Sequence, residues 1–177
     1  MKETTKTVPL KRKHPHGVNA FLLMVILGIM ALGCVGCGGE TTEPVVLDLP
    51  ALGSELQQVL GLEAELSPVD AETFTYLYGI SASQFTESYC LVSTGATADE
   101  ICLLKATDRE SYKALKAQLE ARVVAQKESF ADYLPLEVGK LDRALLLEQD
   151  LYLFLVVCDQ PETAESTIGA AIAAAGE

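Results

Sequence analysis

The sequence predicts an α+β domain: a small antiparallel sheet of about four strands, from two hairpins, with helices packed on one face. Three observations carry this. Two stretches, Glu87–Asp108 and Arg143–Asp159, each hold a pair of hydrophobic, β-rich runs split by a few turn-forming residues. Each stretch is followed by apolar residues recurring at helical spacing. Two further segments of helical spacing precede the first hairpin.

In chain order, DLPALGSELQQVLG (Asp48–Gly61) puts Leu49, Leu52, Leu56, Val59 and Leu60 on one helical face, with Asp48 as cap, Pro50 in the first turn and Gly61 as stop. SPVDAETFTYLYG (Ser67–Gly79) repeats the logic. Ser67 and Asp70 resemble a capping box, Phe74, Leu77 and Tyr78 form the stripe, and Gly79 ends it. Tyr89–Ser93 and Ile101–Lys105 are the arms of the first hairpin, joined through Gly95-Ala96-Thr97-Ala98. Asp108 caps a long one-sided helix, Arg109–Tyr133, whose stripe is Tyr112, Leu115, Leu119, Val123, Phe130 and Tyr133, with Pro135 beyond it.

The second hairpin turns at Glu148-Gln149-Asp150, and Leu151–Cys158 reads as a fully buried strand. A single buried helix is the alternative, because periodicity does not separate the two. Asp159 is expected to cap a last helix with Ile168, Ala171, Ile172 and Ala175 on one face. Asp108 and Asp159 then hold equivalent places, which suggests two ββα units and an internal duplication. The alternative is that Asp is simply a common cap.

The 177 residues leave room for one ordinary domain beyond a leader. Residues 1–36 read as a signal segment, 37–47 as a tether and 48–177 as the domain. From Cys37 onward, eight basic residues face 24 acidic ones, and such a surface repels phosphate backbones, so nucleic acid is not an expected partner. Both histidines, His14 and His16, lie in the leader, and there is no tryptophan. Histidine-based triads, Cys-His pairs and His-ligated metals are therefore excluded from the domain. No catalytic residue, cofactor or metal is expected.

The basic stretch KTVPLKRKHPHG (Lys6–Gly17) precedes sixteen uncharged, mostly apolar residues, Val18–Gly33. That is the layout of a secretory signal, and it is short for a span of about 20 residues. An uncleaved anchor is the alternative; in either case the domain is exported, with Lys11-Arg12-Lys13 held inside. Cysteines follow at once, in MALGCVGCGGE (Met30–Glu40), and the segment resembles a bacterial lipoprotein signal. The resemblance implies a diacylglyceryl group on a cysteine that becomes the new N-terminus. Cys37, between Val35-Gly36 and Gly38-Gly39, is the preferred site; Cys34 is the alternative. Either would fix the domain to the outer side of the cell membrane. A redox pair or a zinc site lacks the surrounding ligands and context.

The run LYGIS (Leu77–Ser81), the hairpin STGATADEICLLKATD (Ser93–Asp108), the helix end RVVAQKESFADYLP (Arg122–Pro135) and the strand LYLFLVVCD (Leu151–Asp159) resemble the domain of unknown function 4358 family. The resemblance spans roughly Val46 to Ile172. It implies a short extracytoplasmic lipoprotein of Gram-positive bacteria, and it supplies neither an activity nor site residues. Cys90, Cys102 and Cys158 depart from the apolar residues of that family. Cys90 and Cys102 are equidistant from Ala96, so symmetric pairing sets them opposite each other. A cross-strand disulfide and buried free thiols are both open readings.

The acidic pairs Asp99-Glu100, Glu148/Asp150 and Glu162/Glu165 are explained by turn and cap chemistry. The STGATAD loop (Ser93–Asp99) joins two strands, which is not the place of a phosphate loop. Two functions from different classes remain: a non-enzymatic binding or accessory module, and a small ligand-binding or hydrolase-like protein using carboxylates or Ser/Lys.

Overall fold

The computed structural model describes residues 45–63 and 65–176. Cys34, Cys37, the expected signal and most of the tether lie outside them. Val45 and Leu47, in the expected tether, are buried in the core, and the Leu47 N–H donates to Tyr152 Oη at 3.2 Å.

Among the described residues, ten α-helices and β-strands follow in order: α1 (Leu49–Val59), β1 (Leu66–Pro68), α2 (Ala71–Tyr78), β2 (Phe85–Ser93), β3 (Glu100–Ala106), α3 (Arg109–Tyr133), α4 (Val138–Asp142), β4 (Leu145–Gln149), β5 (Tyr152–Val157) and α5 (Pro161–Ala175). The strands form one antiparallel sheet in the order β1-β2-β3-β5-β4. Both expected hairpins are present, and the stretch 143–159 is a hairpin rather than a helix. Its turn passes through Asp150 at φ 53, a left-handed position that Asp tolerates better than most residues.

The sheet has a fifth strand, β1, where the sequence reading placed the start of a helix. Ser67 and Pro68 pair with Val92 and Leu91, and α2 begins only at Ala71. Proline has no N–H to give, which an edge strand accepts. Asp70 alone caps α2, accepting from the Thr73 N–H at 2.8 Å. Asp48 and Asp108 cap α1 and α3 as expected, at 2.9 and 2.8 Å. Asp159 is not a cap: the N-cap of α5 is Gln160, with no side-chain bond.

Helices cover both faces of the sheet, not one. Leu91, Ile101, Leu103, Tyr152, Phe154 and Val156 pack under α1 and α5. Cys90, Cys102, Leu104, Leu153, Leu155 and Val157 pack under α2, α3 and α4. The cause is legible in β5, whose six residues are all apolar and all buried: a strand without polar alternation needs cover on both sides. The same arrangement removes the duplication. Superposing β4–β5 on β2–β3 turns the sheet about its normal and keeps its faces, so α5 would land opposite α3.

On the first face α1 sits close to the sheet. A Cβ added at Gly53 would lie 2.1 Å from the Tyr89 ring, so only glycine admits this approach. Val59, expected in the apolar stripe of α1, is 43% exposed instead. Among the described residues, no helix is long and apolar enough to cross a membrane.

Candidate functional site: a polar cleft at one end of the sheet

Polar chemistry gathers where β3 begins. Asp99 and Glu100, which the sequence reading explained by turn chemistry, are both almost fully buried. Successive residues of an extended chain point to opposite faces, and these two side chains diverge accordingly.

Glu100 turns to the α3 face. Its carboxylate accepts from Tyr78 Oη at 2.7 Å, Arg122 Nη2 at 2.8 Å and Arg122 Nε at 3.2 Å. The Arg122 guanidinium also lies 5.0 Å from the centre of the Tyr78 ring. Burial, with the negative groups nearby, pushes the Tyr78 hydroxyl well above its ordinary range. For Arg122, burial alone would lower the pKa, and Glu100 outweighs it, so the net direction is up. Both carboxylate oxygens are served.

Asp99 turns to the other side and meets Lys140, from the single turn of α4. Lys140 Nζ lies 2.8 Å from Asp99 Oδ2, 3.2 Å from Glu137 Oε2 and 3.4 Å from Asp159 Oδ2. Glu137 also accepts from the Ala98 N–H at 2.8 Å, which ties α4 to the STGATAD loop. Beside this cluster opens a cleft of about 280 Å³, lined on its apolar side by Leu60 and Leu62 and on its polar side by Glu65, Thr97, Asp99 and Lys140. Gly61, Cys158, Asp159 and Gln160 complete its lining. Asp99 Oδ1 and Thr97 Oγ1, on two of the residues that line it, are closed to solvent and have no hydrogen-bond partner. A buried, unpartnered polar group costs about 1–3 kcal/mol, so such atoms are rare and informative.

The chemistry open to this cleft is narrow. An ammonium has three donor protons, and three carboxylates surround that of Lys140. Burial alone would lower its pKa, but Asp99 and Glu137 reverse this and hold it above the ordinary lysine range. Lys140 is thus neither a free base nor an anion clamp. Burial likewise raises the Cys158 thiol, so it is not a ready nucleophile. Among the described residues, no group of three or more His, Cys, Asp or Glu side chains is placed to hold a metal ion.

The other sequence candidates fall elsewhere. Cys90 and Cys102 stand opposite each other in the β2–β3 register, as symmetric pairing requires, and both are buried free thiols. Glu148, at the β4–β5 turn, accepts from Tyr112 Oη and Lys116 Nζ, and Tyr112 is pushed up to about 12 by burial and by this carboxylate. Glu162 and Glu165 are exposed on α5. Lys140 and Glu137 escaped the sequence reading, since α4 is a single turn without measurable periodicity. The usable signal was their i,i+3 spacing just after a helix stop.

Fold and cleft together define a compact α+β domain whose polar groups collect at one end of an antiparallel sheet. Residues 58–158 match the sequence profile described as Domain of unknown function (DUF4358). The match covers more than half of the chain, and the chain belongs to that family. No curated protein and no solved structure matches the chain.

Proposed function

We propose that this protein is a lipid-anchored, extracytoplasmic binding module on a Gram-positive cell membrane, and that it holds its ligand without transforming it. The address rests on the basic leader, the short apolar run and the Cys37 context. The binding reading rests on one observation: a cleft of about 280 Å³ in which Glu65, Asp99, Lys140 and Asp159 stand beside the apolar Leu60 and Leu62. The hydrolase-like reading has less support, because Lys140 is ion-paired with three carboxylates and its pKa is raised.

Mass spectrometry of the protein extracted from membranes tests the anchor. The expected N-terminus is a diacylglyceryl-modified Cys37. An unmodified N-terminus still carrying Met1 to Gly33 would overturn it. Thiol counting on denatured, non-reduced protein reads the Cys90–Cys102 pair. Cys90, Cys102 and Cys158 are all expected to react; reaction of Cys158 alone would make the pair a disulfide.

A further inference from the structure

We infer that Cys90 and Cys102 are a redox-operated staple: exchange with a small organic disulfide converts the two free thiols into a bond that ties β2 to β3. The inference goes beyond the binding reading and does not depend on it. The exported location proposed above is where such disulfides persist, but the geometry of the pair stands without it.

The first step concerns the kind of position the pair occupies. Opposed residues of an antiparallel pair alternate between those that exchange backbone hydrogen bonds and those that do not, and side chains come closer at the second kind. The Ser93 N–H donates to the Asp99 carbonyl at 3.2 Å, so Ser93 and Asp99 are of the first kind. Alternation along the register makes Leu91 and Ile101 the first kind again, and Cys90 and Cys102 the second. An independent contact agrees: the Cys90 carbonyl accepts from the Val69 N–H at 3.0 Å, and therefore points away from β3. At such a position the Cα atoms stand about 4.5 Å apart, inside the range of about 4.4–6.8 Å that a disulfide spans.

The second step concerns selectivity. Cys90 and Cys102 belong to the core layer under α2, α3 and α4, whereas Cys158 belongs to the layer under α1 and α5. The sheet separates Cys158 from the pair, so one pairing is open to these three thiols.

The third step concerns order of attack. Cys90 is 7% exposed and Cys102 0%, and β2 borders the three-residue edge strand β1, so local opening at that edge uncovers Cys90 first. Burial, and then the Cys90 thiol beside it, push the Cys102 thiol well above its ordinary range. The Cys90 thiolate attacks one sulfur of the small disulfide, forming a mixed disulfide and expelling one thiolate. Cys102 Sγ then attacks Cys90 Sγ, the mixed bond breaks, and the second thiolate leaves. The two protein thiols lose two electrons and two protons, and the small disulfide gains them as two thiols. The new bond closes a ring of about 13 residues that includes the STGATAD loop and Glu100.

Differential alkylation with peptide mass mapping tests this on the full-length protein in detergent, equilibrated with oxidised glutathione with and without sub-denaturing urea. Cys90 and Cys102 are expected to lose alkylation together and to yield one cross-linked peptide, about 2 Da lighter than its two reduced halves. Cys158 is expected to stay reactive, and dithiothreitol to restore all three. The bridged form is expected to melt about 5–10 °C above the reduced form, as a ring of this size predicts. In Cys102→Val, Cys90 is expected to stop at the glutathione adduct, with no gain in Tm. The wild-type readings decide by themselves if that variant does not fold. A stable glutathione adduct on wild-type Cys90 would overturn the proposal. So would a bridge to Cys158, thiols that stay reactive even in urea, or a bridged form that melts no higher than the reduced one. None of these outcomes alters the N-terminal mass, and an unlipidated N-terminus leaves the exchange unaltered, so staple and anchor fail separately.

Discussion

Asp99 and Glu100 are neighbours in the chain, each 2% exposed, and each faces one cation. Their surroundings differ. Glu100 is closed in: Tyr78 and Arg122 serve both its oxygens, and Arg122 stacks on the same tyrosine. Asp99 is served on one oxygen only, and beside it lies an open cleft. A fully satisfied buried network fixes a core, whereas a half-satisfied one beside a cavity leaves room for an outside partner. The contrast separates a structural ion pair from a candidate site more sharply than burial does.

The largest effect is expected from breaking the closed network. Arg122→Met leaves Glu100 buried and without a cation, which should lower the unfolding free energy by about 3–5 kcal/mol in urea titrations. A loss below about 1 kcal/mol would mean that Glu100 reaches solvent, and the comparison would collapse.

Next comes the direct test, Glu100→Gln against Asp99→Asn. Arg122 has Glu100 as its ion-pair partner, so Glu100→Gln strands a guanidinium with 13% side-chain exposure and should cost about 2–3 kcal/mol. Lys140 keeps Glu137 and Asp159 when Asp99 becomes Asn, and the amide adds donors toward the orphaned position. Asp99→Asn should therefore change stability by less than about 1 kcal/mol. Equal losses in the two variants would place Asp99 in the structural class and weaken the cleft as a site.

Much of this fold could be read from the chain, and the boundary of what could not has physical causes. Asp48 and Asp108 cap helices where short polar residues precede periodic ones, because cap chemistry is local. The Cys90–Cys102 register followed from symmetry about the turn. The three residues of β1 gave no pattern, and Pro68 is equally at home on a sheet edge and at a helix start. Coverage of both sheet faces was signalled by the unbroken apolar run of β5, yet a sheet with one bare face does not need such a run. The site itself was least legible. Asp99 and Glu100 look like turn residues by sequence neighbours alone. Their burial comes from Arg122 and Lys140, which lie 22 and 41 positions away.

A smaller effect is expected at alkaline pH. The Lys140 pKa is raised in the folded protein, so its contribution is fully present below the unfolded value and is lost as pH rises through the folded one. With an unfolded lysine near about 10.4, wild type should lose about 1 kcal/mol from this site between pH 9 and pH 11. Lys140→Arg carries a charge that does not titrate in that window, so its urea midpoint should fall less over the same range. Parallel curves for the two proteins would show that Lys140 gains little from its three carboxylates.

The smallest effect belongs to Glu148, a carboxylate in water rather than in the core. Lys116 and then Tyr112 hold its pKa below the ordinary glutamate range. The sign is opposite to that of Lys140: the stabilisation is present above the unfolded glutamate pKa, near about 4.3, and fades as pH falls through the lower folded value. Both Glu148 and Lys116 are 37% exposed as side chains, so water and salt screen the pair. Glu148→Gln should lower Tm by about 2 °C at pH 7 and by nothing measurable near pH 3. A drop comparable to that of Glu100→Gln would mean that exposure does not set the strength of these pairs. The distinction between the closed network and the cleft would then need another cause.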